Sequence, residues 1–257
     1  MASVIRLYVD HPLAVGQSVP LTVEQSHYLF RVMRKGVGEK LKIFNGVDGE
    51  WSAKVIQSGK KVGILLCENM SKPLILPPNL WLMFAPLKKS RSEFVVEKAT
   101  EMGVSQIMPV KTDFTNLERI RQDRLQSQAV EAAEQCGGTF VPAVLALQKL
   151  SNVLDVWGDR QIMFCDETFS GKSLDLSRLS GPWAILIGPE GGFSTCERKR
   201  LKAMVQVHRM ALGPRILRAE TAAVAALTLW QSAIGDCCLL YTSDAADDLL
   251  CVDLGGR

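Results

Sequence analysis

The chain has 257 residues, of which 47% are hydrophobic and 22% are charged, and its formal net charge is +3. This composition is typical of a soluble globular protein with a hydrophobic core, and the length allows one large domain or two ordinary ones. No apolar run approaches the roughly eighteen residues of a membrane span, and the N-terminus lacks a signal-peptide pattern, so we expect a cytoplasmic protein without a membrane partner.

Apolar and polar residues alternate in the first part of the chain, residues 1–72. Such a period of two indicates half-buried β-strands, and it runs through Lys40–Ile43, Trp51–Ile56 and Val62–Leu66. Asn-Gly, Asp-Gly and Ser-Gly pairs near these segments are typical of short hairpin turns. Thr22–Met33 has the spacing of a helix instead. We expect residues 1–72 to form a compact β-barrel domain with one short helix.

Three prolines, Pro73, Pro77 and Pro78, predict a linker over residues 73–80, because proline cannot continue a helix or a central strand. Beyond it, residues 81–236 alternate between apolar strands and helices. The predicted strands are Leu80–Ala85, Gln106–Val110, Gln161–Cys165, Ala184–Ile187 and Val207–Leu212. This alternation predicts an α/β fold with a parallel sheet that is covered by helices on both faces.

Two capping-box patterns predict helix starts in this part of the chain, Ser90 with Glu93 and Ser194 with Glu197. The first of these helices is expected to end at Gly103. A second helix, over Leu125–Cys136, is expected to end at the following glycine pair, and an alanine-rich helix runs to Ser232.

Glycine-rich turns follow the last two predicted strands. They are Gly188-Pro-Glu-Gly-Gly-Phe-Ser194 and Gly213-Pro-Arg-Ile-Leu-Arg-Ala-Glu-Thr221. A turn of this kind between a strand and a helix leaves backbone N–H groups free and lets a ligand approach closely. Because ligands of parallel sheets bind outside the carboxyl ends of the strands, the two turns predict one shared pocket.

The turn residues disfavour a phosphate ligand. The G-x-x-x-x-G-K-[ST] motif is absent, and the spacing of Gly188, Gly191 and Gly192 does not match G-x-G-x-x-G. Glu190 would repel a pyrophosphate and suits a cationic or polar ligand, so we expect a ligand with a flat apolar part and hydrogen-bonding edges. The seven cysteines include no C-x-x-C pair, and the three histidines lie near no cysteine at ligand spacing, so we expect no metal.

The last segment, Cys237–Arg257, differs from the rest of the chain. It carries four aspartates against one arginine, and we interpret residues 237–257 as a non-native tail that takes no part in the fold. Without it the chain is moderately basic, which allows a nucleic-acid partner.

Several of these motifs resemble the RsmE family of 16S ribosomal RNA uracil-N3 methyltransferases. The two turns carry the resemblance as Ile187-Gly-Pro-Glu-Gly-Gly-Phe-Ser194 and Leu212-Gly-Pro-Arg-Ile-Leu-Arg-Ala-Glu-Thr-Ala222. Three further stretches agree with it: His27–Arg34, Glu97–Val104 and Glu131–Gly138. The resemblance runs from Ile5 to about Gly235.

The resemblance implies a SPOUT-type fold, in which the parallel sheet is tied into a trefoil knot, preceded by a PUA-like RNA-binding barrel. It also implies a homodimer, S-adenosyl-L-methionine as cofactor, and methylation of N3 of one specific uridine in 16S rRNA of the small ribosomal subunit. The cationic sulfonium of this cofactor agrees with Glu190 in the turn. The cofactor-binding residues that it implies are Phe164, Asp166, Ile187, Gly188, Gly191, Gly192, Leu212, Gly213, Ile216, Leu217, Arg218 and Thr221.

A uracil N3–H is a weak acid, so its methylation requires removal of the proton or stabilisation of the developing anion. We assign stabilisation of this anion to Arg218 and acceptance of the proton to Glu220 or Glu190. The alternative is that Arg218 and Glu220 only form an ion pair at the start of the last helix. The candidate RNA contacts are Arg6, Arg31, Arg34, Lys35, Lys88, Lys89, Arg91 and Lys98. Two other functions stay open: a SPOUT methyltransferase with a different RNA target, and a non-catalytic RNA-binding ribosome-assembly factor.

Overall fold

The computed structural model describes residues 5–59, 62–169, 171, 176 and 181–237. The chain divides into two compact units, one of residues 1–76 with 127–141 and one of residues 77–126 with 142–257. The sequence pattern did not indicate that residues 127–141 belong with the N-terminal part. The domain limits 1–72, 73–80 and 81–236 stay a prediction. Of the predicted tail, Cys237 alone falls within the described residues.

The first unit contains a five-stranded sheet. Its strands are β1 (Arg6–Tyr8), β2 (Ser18–Pro20), β3 (Lys40–Phe44), β4 (Glu50–Gln57) and β5 (Ile64–Lys72), in the order β1-β3-β4-β5-β2. β1 runs parallel to β3, and the other pairs are antiparallel. The alternation is real, because Leu41 and Ile43 are buried while Lys40 is exposed. β1 and β2 were not predicted, since three residues are too few to show a period.

The helix predicted over Thr22–Met33 is present as two consecutive segments. α1 (Val23–His27) begins with a capping box in which Thr22 and Gln25 satisfy each other's backbone N–H. The chain then continues as a π-helical turn over Tyr28–Val32. Arg34 follows in the left-handed region, with φ of 55°, which side chains rarely adopt.

The second unit is built on a seven-stranded sheet. Its strands are β6 (Leu80–Phe84), β7 (Gln106–Lys111), β8 (Ala143–Val144), β9 (Gln148–Lys149), β10 (Gln161–Cys165), β11 (Trp183–Ile187) and β12 (Val207–Met210). Every strand pair is parallel, as predicted. The five longer strands match the apolar runs in the sequence, whereas the two-residue strands β8 and β9 were not predicted.

Among the described residues, five helices accompany this sheet. They are α2 (Lys89–Glu101), α3 (Gln122–Cys136), α4 (Leu150–Asp155), α5 (Thr195–Ala203) and α6 (Ala219–Ile234). The division between the two units falls within α3. No helix among the described residues is long and apolar enough to cross a membrane.

The two predicted capping boxes have opposite outcomes. At the start of α5, Glu197 N donates to Ser194 Oγ at 3.2 Å and Ser194 N donates to Glu197 Oε2 at 2.9 Å, which confirms that prediction. The prediction for Ser90 and Glu93 is wrong, because α2 begins at Lys89 with Lys88 as the N-cap and no side-chain cap. Both residues therefore lie inside the helix, and Glu93 pairs with Arg124.

The strand order places the ends of four strands side by side. The sheet runs β12-β10-β11-β6-β7-β8, with β9 also paired to β7. Because these strands are parallel, the segments that follow β12, β10, β11 and β6 leave the sheet at the same edge. Both glycine turns are among those segments.

Candidate active site

The loops that follow β10, β11 and β12 line one cleft, as the two glycine turns predicted. The predicted residues that line it are Asp166, Ile187, Gly188, Glu190, Leu212, Gly213, Ile216 and Leu217. The predicted residues that are not part of its lining are Phe164, Gly191, Gly192, Arg218, Glu220 and Thr221. The structure thus brings together both turns, but not every residue within them.

Two glycines of the first turn are required by close packing. A Cβ on Gly188 would lie 2.6 Å from the ring of Phe193. Gly192 has φ of +67°, and a Cβ there would lie 2.2 Å from Oε1 of Glu167. These contacts explain the glycines by the shape of the turn itself.

Phe164 does not reach the cleft, because its side chain is fully buried in the core. Its ring packs edge to face against Phe193, with 4.9 Å between the ring centroids. The position of Phe164 therefore does not agree with its assignment to cofactor contact. Its ring instead packs against Phe193 of the first glycine turn.

Asp166 is a buried carboxylate at the end of β10. It accepts hydrogen bonds from Thr168 N at 3.1 Å, Thr168 Oγ1 at 2.8 Å and Arg209 Nη2 at 2.8 Å. Burial by itself would raise the pKa of Asp166, but the hydrogen bonds from Thr168 and Arg209 outweigh it, so the pKa lies below its usual value. Asp166 is thus a fixed, ionised acceptor at the cleft.

A cluster of three charged side chains lies beside the cleft. Arg91, near the start of α2, donates to Glu190 through Nη1 and to Glu220 through Nη2. The hydrogen bond to Glu220 is the main cause that raises the pKa of Arg91, and the same bond lowers the pKa of Glu220. Arg91 Nε is buried and has no hydrogen-bond partner among the described residues. Arg91 was predicted to contact RNA, and the structure places it between the two candidate proton acceptors instead.

Arg218 is the N-cap residue of α6, and its side chain is exposed. Its charge is one of the weaker causes that lower the pKa of Glu220. Within the described part of the chain its side chain has neither a hydrogen bond nor an ion pair, so the alternative of an ion pair with Glu220 is not what the structure shows. Thr221 is exposed in the first turn of the same helix.

The side chains that were predicted to contact RNA differ in whether other groups of the protein already bind them. Arg6 makes four hydrogen bonds, to Glu50 and to the carbonyl oxygens of residues 133, 134 and 138, at 2.6–2.8 Å. Four of the five guanidinium N–H groups are thereby used, so Arg6 is not free to bind RNA. Lys35 pairs with Glu39, and Lys98 pairs with two glutamates of its own helix.

The remaining basic side chains have other environments. Arg31, Arg34 and Lys88 are exposed. The side chain of Lys89 lies outside the part of the chain that the structure describes.

Four charged residues of the cleft region were not predicted: Glu167, Arg198, Arg209 and Arg215, and the last of these also lines the cleft. Glu167 lines the cleft and pairs with Arg198, and Arg209 lies 4.4 Å above the ring of Phe169. Glu167 follows Asp166 directly after the end of β10. Its position at the end of a strand could therefore have predicted that it lies at the cleft. Arg209 lies within β12, and nothing in its sequence neighbourhood indicates a partner 43 residues away.

Two family models match the chain. An RNA methyltransferase domain covers residues 75–231, and an RNA methyltransferase PUA domain covers residues 21–63. The chain is 31% identical to ribosomal RNA small subunit methyltransferase E of Synechocystis sp., with 86% of this chain and 75% of that protein covered. It is 28% identical to the protein of that name from Rickettsia conorii, with 86% and 93% covered.

Two solved structures have the same fold. One is a putative methyltransferase from Legionella pneumophila in complex with the bound cofactor SAM, with a TM-score of 0.85, 28% identity, and 91% of this chain and 99% of that chain covered. The other is ribosomal RNA small subunit methyltransferase E from Neisseria gonorrhoeae bound to S-adenosyl methionine, with a TM-score of 0.82 and the same identity and coverage. These matches confirm the α/β fold with a PUA-like N-terminal unit, and the chain belongs to the RNA methyltransferase family of ribosomal RNA small subunit methyltransferase E.

Proposed function

We propose that the protein transfers the methyl group of S-adenosyl-L-methionine to N3 of a specific uridine in 16S rRNA of the small ribosomal subunit. One observation carries the proposal: the cleft formed by the two glycine turns adjoins the cluster of Arg91, Glu190 and Glu220. Glu190 belongs to both, so a ligand in the cleft would lie next to groups that act on protons and negative charge.

The residues of the cleft fit this cofactor. Three carboxylates line it, those of Asp166, Glu167 and Glu190, against one guanidinium, that of Arg215. This excess of negative charge favours a cationic ligand with hydroxyl groups over a phosphate. The second turn adds apolar side chains, of which Ile216 is 87% exposed. An exposed aliphatic residue at a cleft provides a surface for a flat ring system. When bound there, the cofactor supplies an activated methyl group on a positively charged sulfur.

Methylation at N3 also requires a group that accepts the N3 proton of the uracil. The hydrogen bond from Arg91 holds the pKa of Glu220 below its usual value, so Glu220 is a weak proton acceptor while this pair is intact. Glu190 lines the cleft, and its side chain is 54% exposed against 15% for Glu220. Arg91 donates to Glu190 as well. We assign proton acceptance to Glu190 because it lines the cleft and is the more exposed of the two carboxylates.

Of the two arginines Arg91 and Arg218, Arg218 is the one whose guanidinium is available to stabilise the uracil anion. Negative charge on the anion spreads to its carbonyl oxygens, where a donor has its largest effect on the transition state. Arg218 is exposed, and its guanidinium has no hydrogen bond or ion pair among the described residues, so it is free to bind such an oxygen. Arg91 holds Glu190 and Glu220 in place and balances their charge.

RNA binding is assigned to exposed basic side chains in each unit. Arg31 and Arg34 lie at the end of the π-helical turn of the first unit, and Lys88 lies at the start of α2 in the second. Contacts of this kind bind phosphates and do not select a base. The homodimer and the trefoil knot implied by the family remain part of the proposal.

A transfer assay separates this proposal from a non-catalytic assembly factor. The full chain is incubated with small ribosomal subunits and S-adenosyl-L-methionine carrying a tritiated methyl group, and binding of the cofactor is measured in parallel by calorimetry. We expect label in 16S rRNA that depends on the protein. Binding of subunits without cofactor binding or transfer would favour the assembly factor.

A further inference from the structure

Phe114 is a half-exposed aromatic residue beside the first glycine turn. It follows β7, and its side chain is 47% exposed. A Cβ on Gly191 would lie 3.3 Å from Cβ of Phe114 and 3.7 Å from its ring. The ring therefore lies against the backbone of the residue that follows Glu190.

The loop that carries Phe114 is held by hydrogen bonds on both sides of the ring. Thr112 N donates to Thr115 Oγ1 at 2.9 Å, the two hydroxyls are 2.9 Å apart, and Thr115 N donates to Thr112 O at 3.1 Å. Both threonines are buried. This closed turn leaves the ring between them on the outside.

A second set of contacts fixes the same loop to the first turn of α5. Asp113 N donates to Glu197 Oε1 at 2.9 Å, and Ser194 Oγ donates to the carboxylate of Asp113. Ser194 and Glu197 are the capping box that ends the glycine turn. Because the capping residues bind the loop of Phe114 and also end the glycine turn, Phe114 is held in a fixed position relative to the turn that carries Glu190.

A uridine in folded RNA has to be unstacked before its N3 can be methylated, which costs the stacking energy of the base. Proteins offset this cost with aromatic side chains on which a base stacks. Stacking on the flat face leaves the edge of the base, with N3 and its carbonyl oxygens, free for the charged cluster. A rigid aromatic ring beside that cluster meets this need.

We propose that Phe114 is the stacking platform for the unstacked target base. Phe114 is a positioning residue, which sets the base so that its edge faces Glu190 and Arg91. This role rests on the proposed methyltransferase function and adds the place where the base binds.

The test compares three full-length variants with the wild-type protein in methyl transfer to small ribosomal subunits. Phe114→Ala removes the ring, Phe114→Trp keeps a stacking face, and Val205→Ala shortens an apolar side chain that is 87% exposed elsewhere in the same unit. We expect Phe114→Ala to lower kcat/KM for the subunit roughly five- to one-hundred-fold, the range expected when one base no longer stacks. Phe114→Trp should restore most of the activity, and Val205→Ala should match the wild type. The dissociation constant for S-adenosyl-L-methionine should stay unchanged in all three.

A spectroscopic signal tests the stacking itself. Tryptophan fluorescence of Phe114→Trp should be quenched on addition of 16S rRNA beyond any quenching of the wild type, which has five tryptophans. Equal activity of Phe114→Ala and the wild type would overturn the role of Phe114 and leave the proposed function intact. A loss in Phe114→Ala that tryptophan does not rescue, with a changed oligomeric mass, would assign the ring to a protein interface instead. A wild-type protein that binds the cofactor and transfers no methyl group would overturn both proposals.

Discussion

Arg91 joins two carboxylates that the chain supplies from different segments, Glu190 after β11 and Glu220 in the first turn of α6. The hydrogen bond between Arg91 and Glu220 lowers the pKa of Glu220 and is the main cause that raises the pKa of Arg91. Removal of the guanidinium would leave two carboxylates next to each other without a counter-charge. The effect should be visible in the pH titration of Glu220.

We expect Arg91→Gln to raise the pKa of Glu220. The hydrogen bond from Arg91 lowers that pKa, so without the bond Glu220 takes up a proton at a higher pH than in the wild type. The measurement is the pH titration of the glutamate side-chain carbons by NMR, with Glu220→Gln identifying the Glu220 signal. Arg91→Lys, which keeps the positive charge, should shift the titration less. A Glu220 titration at the wild-type position in Arg91→Gln would be evidence against this coupling.

Asp166 provides a second prediction, about stability. Its folded-state pKa is depressed, so its ion pair with Arg209 stabilises the protein above the unfolded-state pKa and is lost as the pH falls through the folded-state pKa. We expect Asp166→Asn to lower the free energy of unfolding at neutral pH by about 1.5–3 kcal/mol, with a smaller difference in acid. Urea unfolding at several pH values measures it.

The matched control for this variant is Asp155→Asn, because Asp155 also pairs with an arginine, at 2.6 Å, but is 63% exposed. Exposed pairs contribute little, so this control should unfold like the wild type. Equal stability of the two asparagine variants would show that burial of Asp166 has no consequence.

At the scale of elements, the five longer strands of the second unit were predictable because most of them are short apolar runs. Gln161–Cys165 was predicted with the limits that the structure has, and the ends of the others differ by a few residues. Helix starts were harder to predict, because the capping-box pattern gives only the spacing between two residues. It does not show at which residue the chain enters the helix. Ser194 caps a helix, whereas Ser90 has the same spacing and lies within one.

The two serines should therefore respond differently to the same substitution. Ser194→Ala removes an N-cap hydrogen bond and should lower the free energy of unfolding by about 1 kcal/mol. Ser90→Ala should have little effect or be slightly stabilising, because alanine is the better helix former at an exposed helix position. The midpoint of urea unfolding measures both. Destabilisation by Ser90→Ala as large as by Ser194→Ala would mean that α2 is capped by Ser90 after all.

At the scale of the whole molecule, the sequence indicated the α/β class and the pairing of two turns in one cleft, because both follow from local patterns and from the geometry of parallel sheets. The partners of single charged residues were not predictable. Arg91 meets Glu190 and Glu220 across 99 and 129 residues of chain, and Arg6 meets carbonyl groups about as distant. Such contacts arise from the tertiary fold and have no local pattern, so Arg6 and Arg91 were both assigned to RNA.

The exposed arginines of the first unit provide a prediction for RNA binding. We expect the double variant Arg31→Ala with Arg34→Ala to bind 16S rRNA more weakly and with a smaller dependence on salt, by about one unit of log–log slope for each phosphate that the variant no longer binds. The base specificity should not change, since phosphate contacts carry no sequence information. Filter binding over a range of salt concentrations measures this. Lys202→Ala, at an exposed position of α5, is the control, and an equal loss of affinity in that variant would contradict a localised RNA surface.

The identity of the methylated atom tests the account most directly. Small ribosomal subunits that lack the modification are incubated with the full chain and S-adenosyl-L-methionine, and the 16S rRNA is digested and analysed by nucleoside mass spectrometry. The account predicts 3-methyluridine at a single position, in an amount that depends on time and protein. A methyl group on another base or on a ribose, or no methylation by a protein that binds the cofactor, would contradict it.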